Sequence, residues 1–403
     1  MAVTNFNAFW ETQWGELKSS DAFRARAFEH FRKSGWPTLK TPNWNYFSSK
    51  PLQQEWSRGA AKSGSASLPS IPKGFALAVF VDGHFSEAQS RLTGWELGHG
   101  EFGDFKWADG VEALYQSFYS SRVHLTAGKN CAPLAIVHAQ SEGNRFNPAL
   151  IRVEIPAGVQ TSVLECTLKS PPSWTGQLCE VKAGRGAVVD WVRWQNGLVA
   201  DQTSQRFELD AGAALNWIGL QSASSWVRTP VEVVLNGENA SADMFGLAFG
   251  SQTAELGQKV VVRHHAPHTS SSQLFKSVLR DQAKNVFAGK IVIEQDAQKS
   301  SASQRHQSLN FHASAQSITQ PELEILADDV KAAHGATVGR LDDEQLFYLE
   351  TRGISRQKGM EMLARAFVED VLRHIRNKEA YSFVDGELSK EIAGFLTAME
   401  QQA

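Results

Sequence analysis

Three histidines lie close together in the segment VVRHHAPHTSSS, at His264, His265 and His268. Imidazole nitrogens bind transition metals well, and two of these side chains could converge on an ion if a turn brought them together. The segment has no cysteine or carboxylate at ligand spacing. We therefore interpret the three histidines mainly as polar surface.

An acidic pair, Asp328 and Asp329, is a second candidate for chemistry. In a β-helix polysaccharide enzyme, two carboxylates near the scissile bond act as general acid and general base. The segment is interpreted as a strand, and adjacent strand residues point to opposite faces. The two carboxylates are therefore poorly placed to act together.

His334 precedes Gly335 at the end of the predicted strand region. Glycine permits close approach of the backbone, and an exposed turn there could present the imidazole. The residues alone leave two interpretations open, a structural histidine and a metal ligand.

Three cysteines, Cys131, Cys166 and Cys179, are too few and too widely spaced for a disulfide framework or a CxxC metal site. A free cysteine usually behaves as a small buried hydrophobe. We expect reduced, structural thiols.

The sequence lacks the common catalytic signatures. It contains no GxxxxGK[ST] phosphate loop, no GxSxG elbow and no HExxH, and no GxGxxG opens a predicted helix directly after a predicted strand. Hydrolysis of a nucleotide by a P-loop and dinucleotide redox chemistry are therefore not expected.

The net charge limits the partners that can be expected. The net charge of -3, from 40 basic and 43 acidic side chains, provides no overall basic field, so nucleic acid is not an expected partner.

The first residues do not have the pattern of a signal peptide, and no run approaches 18 apolar residues. We expect a cytoplasmic protein that does not enter a membrane.

The elements that must position these residues change type along the chain. Aromatic residues at helical spacing predict two N-terminal helices, followed by a Ser- and Pro-rich loop at 60–72. From about residue 132 the period is two, as in Ile151, Val153 and Ile155, and amphipathic helices do not interrupt the strands. This pattern fits an antiparallel sandwich and a parallel β-helix equally well. Helical spacing returns after Leu341.

The segment 264–376 resembles the SufB/SufD family of iron-sulfur cluster assembly scaffolds. The resemblance is carried by HHAPHTSSSQLFKSVL, VFAGKIVIEQDAQ and PELEILADDVKAAHGATVGRLDDEQLFYLETRGIS, with NWNYF at 43–47 as a further family-like motif. It implies a mainly β protein, with a right-handed parallel β-helix flanked by helical regions. The implied domains are an N-terminal helical or mixed region at 1–135, the β-helix at 136–341 and a C-terminal helical domain at 342–403.

The same resemblance implies a place within the family. The longer branch, SufB, supplies cysteine chemistry, whereas this chain is short and carries Ala332, Ala333 and His334 where relatives often have Cys-x-His. Ala332 cannot ligate iron, so the family motif leaves His334 as the candidate metal ligand from this chain. An iron-sulfur cluster is then expected to be transient and shared at the interface with SufB, and not held stably by this chain alone.

The function implied by the resemblance is that of a non-catalytic scaffold. The expected partners are a SufB-like subunit, bound through the β-helix, and a SufC-like ABC ATPase, bound by the C-terminal helices. A homodimer in isolation is a further expectation. The alternative from architecture alone is a β-helix carbohydrate lyase or hydrolase.

Overall fold

The computed structural model describes residues 6–42, 44–54, 56, 68, 70–98, 109–141, 143, 145–146, 148–167, 173–197, 200–223 and 225–400. The predicted loop at 60–72 lies for the most part outside these residues. None of the described helices has both the length and the apolar character that a membrane span requires.

Two parallel sheets form a β-helix of about seven coils, which confirms the parallel β-helix and excludes the antiparallel sandwich. The strands in chain order are β1 (Ala76–Val81), β2 (His84–Phe85), β3 (Trp95–Gly98), β4 (Ser121–Ala127), β5 (Leu134–Ala139), β6 (Ala149–Ile155), β7 (Gln160–Thr167), β8 (Trp174–Ala183), β9 (Val188–Gly197), β10 (Ala200–Leu209), β11 (Ala214–Ala223), β12 (Trp226–Leu235), β13 (Ser241–Gly250), β14 (Glu255–His264), β15 (Ser270–Leu279), β16 (Lys284–Ile293), β17 (Ser301–Asn310), β18 (Gln316–Ile325) and β19 (Lys331–Arg340).

Successive strands alternate between the two sheets. Sheet 1 contains β1, β2 and the odd-numbered strands from β5 to β19, and sheet 2 contains β3 and the even-numbered strands from β4 to β18. Every neighbouring pair from β4 and β5 onward is parallel. At the other end, the short β2 is antiparallel to β1, and the short β3 is antiparallel to β4. The coils therefore stack in one direction along the chain.

Short turns return the chain from one sheet to the other. Several turn residues have a left-handed backbone, among them Gly186 with φ 65° and Gly212 with φ 68°. Glycine takes this conformation without strain because it has no Cβ. At equivalent turns nearer the C-terminus, His268 and Lys299 take the same conformation.

Helices lie against both outer faces of the β-helix. The helices are α1 (Phe6–Leu17), α2 (Ala22–Ser34), α3 (Gly110–Phe118), α4 (Asp343–Thr351), α5 (Arg356–Leu372) and α6 (Lys378–Glu400), with short 3₁₀ turns at Lys50–Leu52 and Glu87–Gln89. α1–α3 pack their aromatic faces on sheet 2, and α5 and α6 pack on sheet 1. Alternate strand residues are thus buried on the outside as well as on the inside.

Trp44, from the NWNYF motif, anchors the N-terminal region on sheet 2. Its ring is fully buried and lies 6.3 Å from that of Trp226, and its Nε1 donates to a carboxylate oxygen of Asp109 at 2.6 Å. The Arg228 guanidinium lies over the same ring at 3.9 Å. Trp44 therefore has a packing role in this chain.

The interior of the β-helix contains charged residues as well as apolar ones. Glu165 and Arg193 are fully buried and hydrogen-bonded to each other on adjacent strands of sheet 1. Burial alone would raise the pKa of Glu165, but the Arg193 charge and the His138 contact lower it to about 2. Gln205 Nε2 also donates to Glu165, at 2.6 Å. This pair is therefore ionised and compensated inside the solenoid.

Asp201 lies beside this pair without comparable compensation. Its Oδ1 is 3.9 Å from the Arg193 guanidinium, and burial raises the pKa of Asp201 from 3.8 to about 6 although Arg193 opposes the rise. The folded protein therefore holds a proton on Asp201 more tightly than the unfolded chain does.

We predict that Asp201 makes folding stability fall as pH rises. Its contribution is fully present below pH 3.8 and is lost as pH rises through about 6, with an amplitude of about 2 to 3 kcal/mol. Urea unfolding should be measured for Asp201→Asn and for the unsubstituted protein between pH 4.5 and 7.5. The free energy of unfolding of Asp201→Asn should increase relative to that of the unsubstituted protein as pH rises. Asp210→Asn, an exposed residue after the same strand, is the control and should run parallel to the unsubstituted protein. Parallel curves for Asp201→Asn would contradict the assignment.

Candidate functional site

The last coil, formed by β18 and β19, is open to solvent. Within the described chain each of these strands pairs on one side only, with β16 and β17 respectively. Large apolar side chains are exposed here, namely Ile325 at 41%, Leu326 at 52% and Val338 at 56%. An edge strand of this length, with unpaired backbone groups, is a template for pairing with another chain.

His334 occupies an inward position of this coil. The strand register places it in one column with Trp191, Trp217, Met244, Gln273 and Gln304, which are buried in the preceding coils. His334 itself is exposed because no coil of the described chain covers it. Its imidazole is thus placed at the mouth of the solenoid.

The column that leads to His334 becomes polar toward the open end. Trp191, Trp217 and Met244 belong to the apolar core. The next two positions of the column are polar, and there Gln304 Nε2 donates to Gln273 Oε1 at 2.8 Å. In the neighbouring column His306 is buried, and its Nδ1 lies 2.8 Å from the Thr319 hydroxyl. Burial lowers the pKa of His306 to about 4, so it is neutral at physiological pH.

His306 and His334 are diagonal neighbours on β17 and β19, since His306 stands opposite Ala336. The His306 ring is stacked on Phe287, with a centroid separation of 4.8 Å, and its Nε2 lies 3.4 Å from the Asn285 amide nitrogen. Both of its nitrogens therefore already face partners within this chain. Of the two imidazoles, His334 is the one presented to solvent.

The other histidine candidates do not form a metal site. His264 is buried between the hydroxyls of Thr269 and Ser271, at 2.8 and 2.9 Å, whereas His265 is exposed beside Asn236. Burial lowers the pKa of His264 to about 4. No group of three or more potential metal ligands is found among the described residues.

The prediction that Asp328 and Asp329 lie in a strand is wrong. Both are exposed in the turn between β18 and β19. The Asp329 backbone N–H donates to Gln298 Oε1 at 3.0 Å, and its carbonyl accepts from the Lys299 N–H at 2.6 Å. The turn keeps the two acids at the open end, where they add negative charge.

The cysteines are placed as small hydrophobes. Cys166 and Cys179 are buried, and Cys131 is half-buried. Burial raises the pKa of Cys166 to about 12 and that of Cys179 well above its usual range. Neither buried thiol is therefore suited to be a thiolate ligand.

A second exposed surface lies on the C-terminal helices. Phe347 is 66% exposed and Tyr348 58%, and both are on α4, while Met362 on α5 is 43% exposed. We call these three residues the α4 surface. A cavity of 390 Å³ adjoins it, lined in part by Tyr348, Leu349 and Leu363. α4 thus presents aromatic side chains that the β-helix does not cover.

Sequence reasoning placed Phe347 and Tyr348 in a helix and in a family-like motif but did not predict that both side chains are exposed. A signal was present, because Leu346, Phe347 and Tyr348 are consecutive and consecutive helical residues do not share a face. Leu346 is buried, so its two neighbours must point elsewhere.

Comparison with known proteins gives consistent similarities. Residues 136–367 match the family described as SUF system FeS cluster assembly, SufBD core domain. The chain is 27% identical to the iron-sulfur cluster assembly protein SufD of Escherichia coli, over 95% of this chain and 96% of that protein. It is 30% identical to a SufBD family iron-sulfur cluster assembly protein of Mycobacterium tuberculosis, over 45% of this chain and 21% of that protein. It is 33% identical to the chloroplastic protein ABCI7 of Arabidopsis thaliana, over 34% of this chain and 28% of that protein.

Proposed function

We infer the function of this chain from the family to which it belongs, the SufBD family of SUF-system iron-sulfur cluster assembly proteins, and propose that it is a scaffold subunit and not an enzyme. The family expected from the motifs at 264–376 is confirmed. The finer proposal is a SufD-type role in which the chain pairs with a SufB-like subunit and docks a SufC-like ABC ATPase. The nascent cluster is the cargo of this assembly.

One observation carries the proposal, the open last coil with His334 at its mouth. The solenoid interior ends there without a cover, and the edges of β18 and β19 offer unpaired backbone groups. A partner that adds strands to both sheets would satisfy these groups and bury Leu326 and Val338. We propose that the SufB-like subunit binds at this end. The interface would then lie between the domain at 136–341 of this chain and the β-helix of the SufB-like subunit.

The same geometry supports a shared cluster site. His334 supplies one imidazole, and iron in proteins is commonly held by several thiolate or imidazole ligands. Ala332, on the inward side of the same strand, supplies none. We propose that the partner contributes the thiolates, so that a cluster forms transiently between the two subunits and is not retained by this chain alone.

The α4 surface supports docking of the ATPase. Within the described part of the helical region at 342–403, the large apolar side chains of the α4 surface are exposed, while α5 and α6 are held on sheet 1. Exposed aromatic residues at the centre of an interface often contribute a large share of its affinity. We propose that the SufC-like subunit covers Phe347 and Tyr348, and that its ATP-driven motion is passed through α5 to sheet 1.

Hydrogen–deuterium exchange tests the pairing. We expect backbone amides of β18 and β19 to become protected when a SufB-like subunit is added, because their free hydrogen-bonding groups acquire partners. Amides of β12 and β14 are the internal reference, since both edges of these strands are already paired. Protection confined to α1–α3, with β18 and β19 unchanged, would contradict pairing through the open coil.

Replacement of His334 tests the ligand role. His334→Ala should fold normally, because the side chain is exposed, and should bind the SufB- and SufC-like subunits as before. Cluster formation on the complex, followed by absorbance during reconstitution, should fall roughly tenfold or more. His265→Ala, which removes an exposed histidine two coils before the last one, is the matched control. An unchanged rate for His334→Ala rules out the ligand role, and failure of this variant to fold would favour a structural one.

The α4 surface is tested by Phe347→Ser combined with Tyr348→Ser. We expect the affinity for the ATPase subunit to fall by about 2 kcal/mol or more, with an unchanged melting temperature, since both side chains are exposed. Leu39→Ser removes an exposed apolar residue of the N-terminal region and is the control. Point substitutions are preferable to deletion after Leu341, because deletion would uncover the face of sheet 1 that α5 and α6 bury. Undiminished ATPase binding by the double variant would exclude this surface.

A further inference from the structure

The outer face of sheet 2 carries rows of alternating charge. In one row Arg152 donates to Glu180 at 2.6 Å, and Arg206 on the next strand donates to Glu232 at 2.7 Å. These four residues are register partners on consecutive strands, from β6 to β12. Residues directly opposite each other on neighbouring strands are the units of sheet stabilisation, and opposite charges are favourable there.

The row continues to the open coil. After Val261, which is uncharged, Lys290 occupies the next position on β16, and its Nζ lies 2.6 Å from Glu322 and 2.7 Å from Glu324 on β18. The two carboxylates are the only charged side chains of β18. Their exposed fractions are 62% and 47%, and on their outer side no further strand of the described residues follows. The row therefore ends on two acids at a free edge.

The free edge of sheet 1 is β19, and its side chains do little to fix the register of a strand that pairs with it. The outward residues of β19 are Lys331 followed by Ala333, Gly335, Thr337 and Gly339, and this register follows from Ala332 facing the interior. Strands rich in glycine and small residues specify their pairing register weakly, and a slip of one residue turns every side chain to the opposite face. A register that places His334 correctly must be set by β18.

We propose that Glu322 and Glu324 recognise one or two basic side chains on the partner strand that pairs with β18, and that this contact sets the register of the interface. The proposal rests on the pairing put forward under Proposed function. A strand added beside β18 would place its outward residues directly opposite the two glutamates, continuing the alternating row. The partner strand should therefore carry Lys or Arg at these positions.

The charge of β18 also favours a different protein as the partner. A second copy of this chain is disfavoured. In an end-to-end pair related by a two-fold axis that sets β18 against β18, the two acidic strands face each other, and Asp328 and Asp329 in the adjoining turn add to the repulsion. Like charges placed directly opposite each other are destabilising. A strand with basic outward residues removes this repulsion.

The test compares two variants that break the same internal ion pairs. Glu322→Gln with Glu324→Gln removes the carboxylates, whereas Lys290→Gln leaves them in place and removes their partner within the chain. If the carboxylates recognise the partner, the double variant should bind a purified SufB-like subunit about tenfold more weakly at low salt, with a reduced salt dependence. Lys290→Gln should bind within about twofold of the unsubstituted protein or more tightly.

Equal weakening by both variants would mean that the carboxylates serve only to hold Lys290, and the proposal would be overturned. Binding by the double variant that equals that of the unsubstituted protein, with the same salt dependence, would overturn it as well. If the unsubstituted chain does not bind the SufB-like subunit at all, the pairing itself is wrong, which is a separate result.

The register is read by a photo-crosslinking amino acid placed at Thr337, an exposed position of β19 remote from the two glutamates. In the unsubstituted background we expect crosslinks to one short site on the partner strand. In the Glu322→Gln, Glu324→Gln background the crosslinks should spread along the strand. An unchanged single site in that background would contradict the role in setting the register.

Discussion

Every coil of this protein depends on its neighbours, because a single coil cannot bury its own apolar face or pair its own backbone. The coils between β4 and β17 satisfy each other through parallel ladders, and their outward apolar residues are covered by α1–α3 on one sheet and by α5 and α6 on the other. The last coil is the one place at the C-terminal end where this mutual cover stops. The exposed edge strands, the inward column that ends on His334 and the row of charges that ends on Glu322 and Glu324 all follow from that interruption.

The strands could be predicted from the sequence, but their stacking could not. Alternation in segments such as 151–155, without intervening helices, indicates short strands and disfavours a doubly wound fold. The pattern did not reveal a repeat because coil length drifts. Arg193 pairs with Gly219, a step of 26 residues, whereas Gln273 pairs with Gln304, a step of 31. A search for a fixed period fails under this drift, so the parallel β-helix was reached through the family motifs.

The site was only partly accessible to sequence reasoning. The motif identified His334, but its inward position follows from the register of β17 and β19, which requires the pairing of residues 30 apart. Asp328 and Asp329 were interpreted as strand residues, yet the chain turns there to pass from sheet 2 to sheet 1. Glu322 and Glu324 carry no signal in isolation, since two glutamates in a strand resemble any solvated edge. The role proposed for the two glutamates depends on their ion pairs with Lys290, which lies 32 and 34 residues earlier in the chain. It depends also on their position at an edge where no further described strand follows.

The two ends of the solenoid differ, and this difference limits how many subunits can stack end to end. At the N-terminal end the sheets finish on β2 and β3, which are two and four residues long and pair antiparallel. Edges this short offer few groups to an incoming strand. Among the described strands only the C-terminal end is receptive, so the pairing proposed above would give a closed pair in which neither outer end can add a further strand. If the open coil pairs as proposed above, the stacking that elsewhere produces fibres of indefinite length occurs once, and the product is a particle of fixed size.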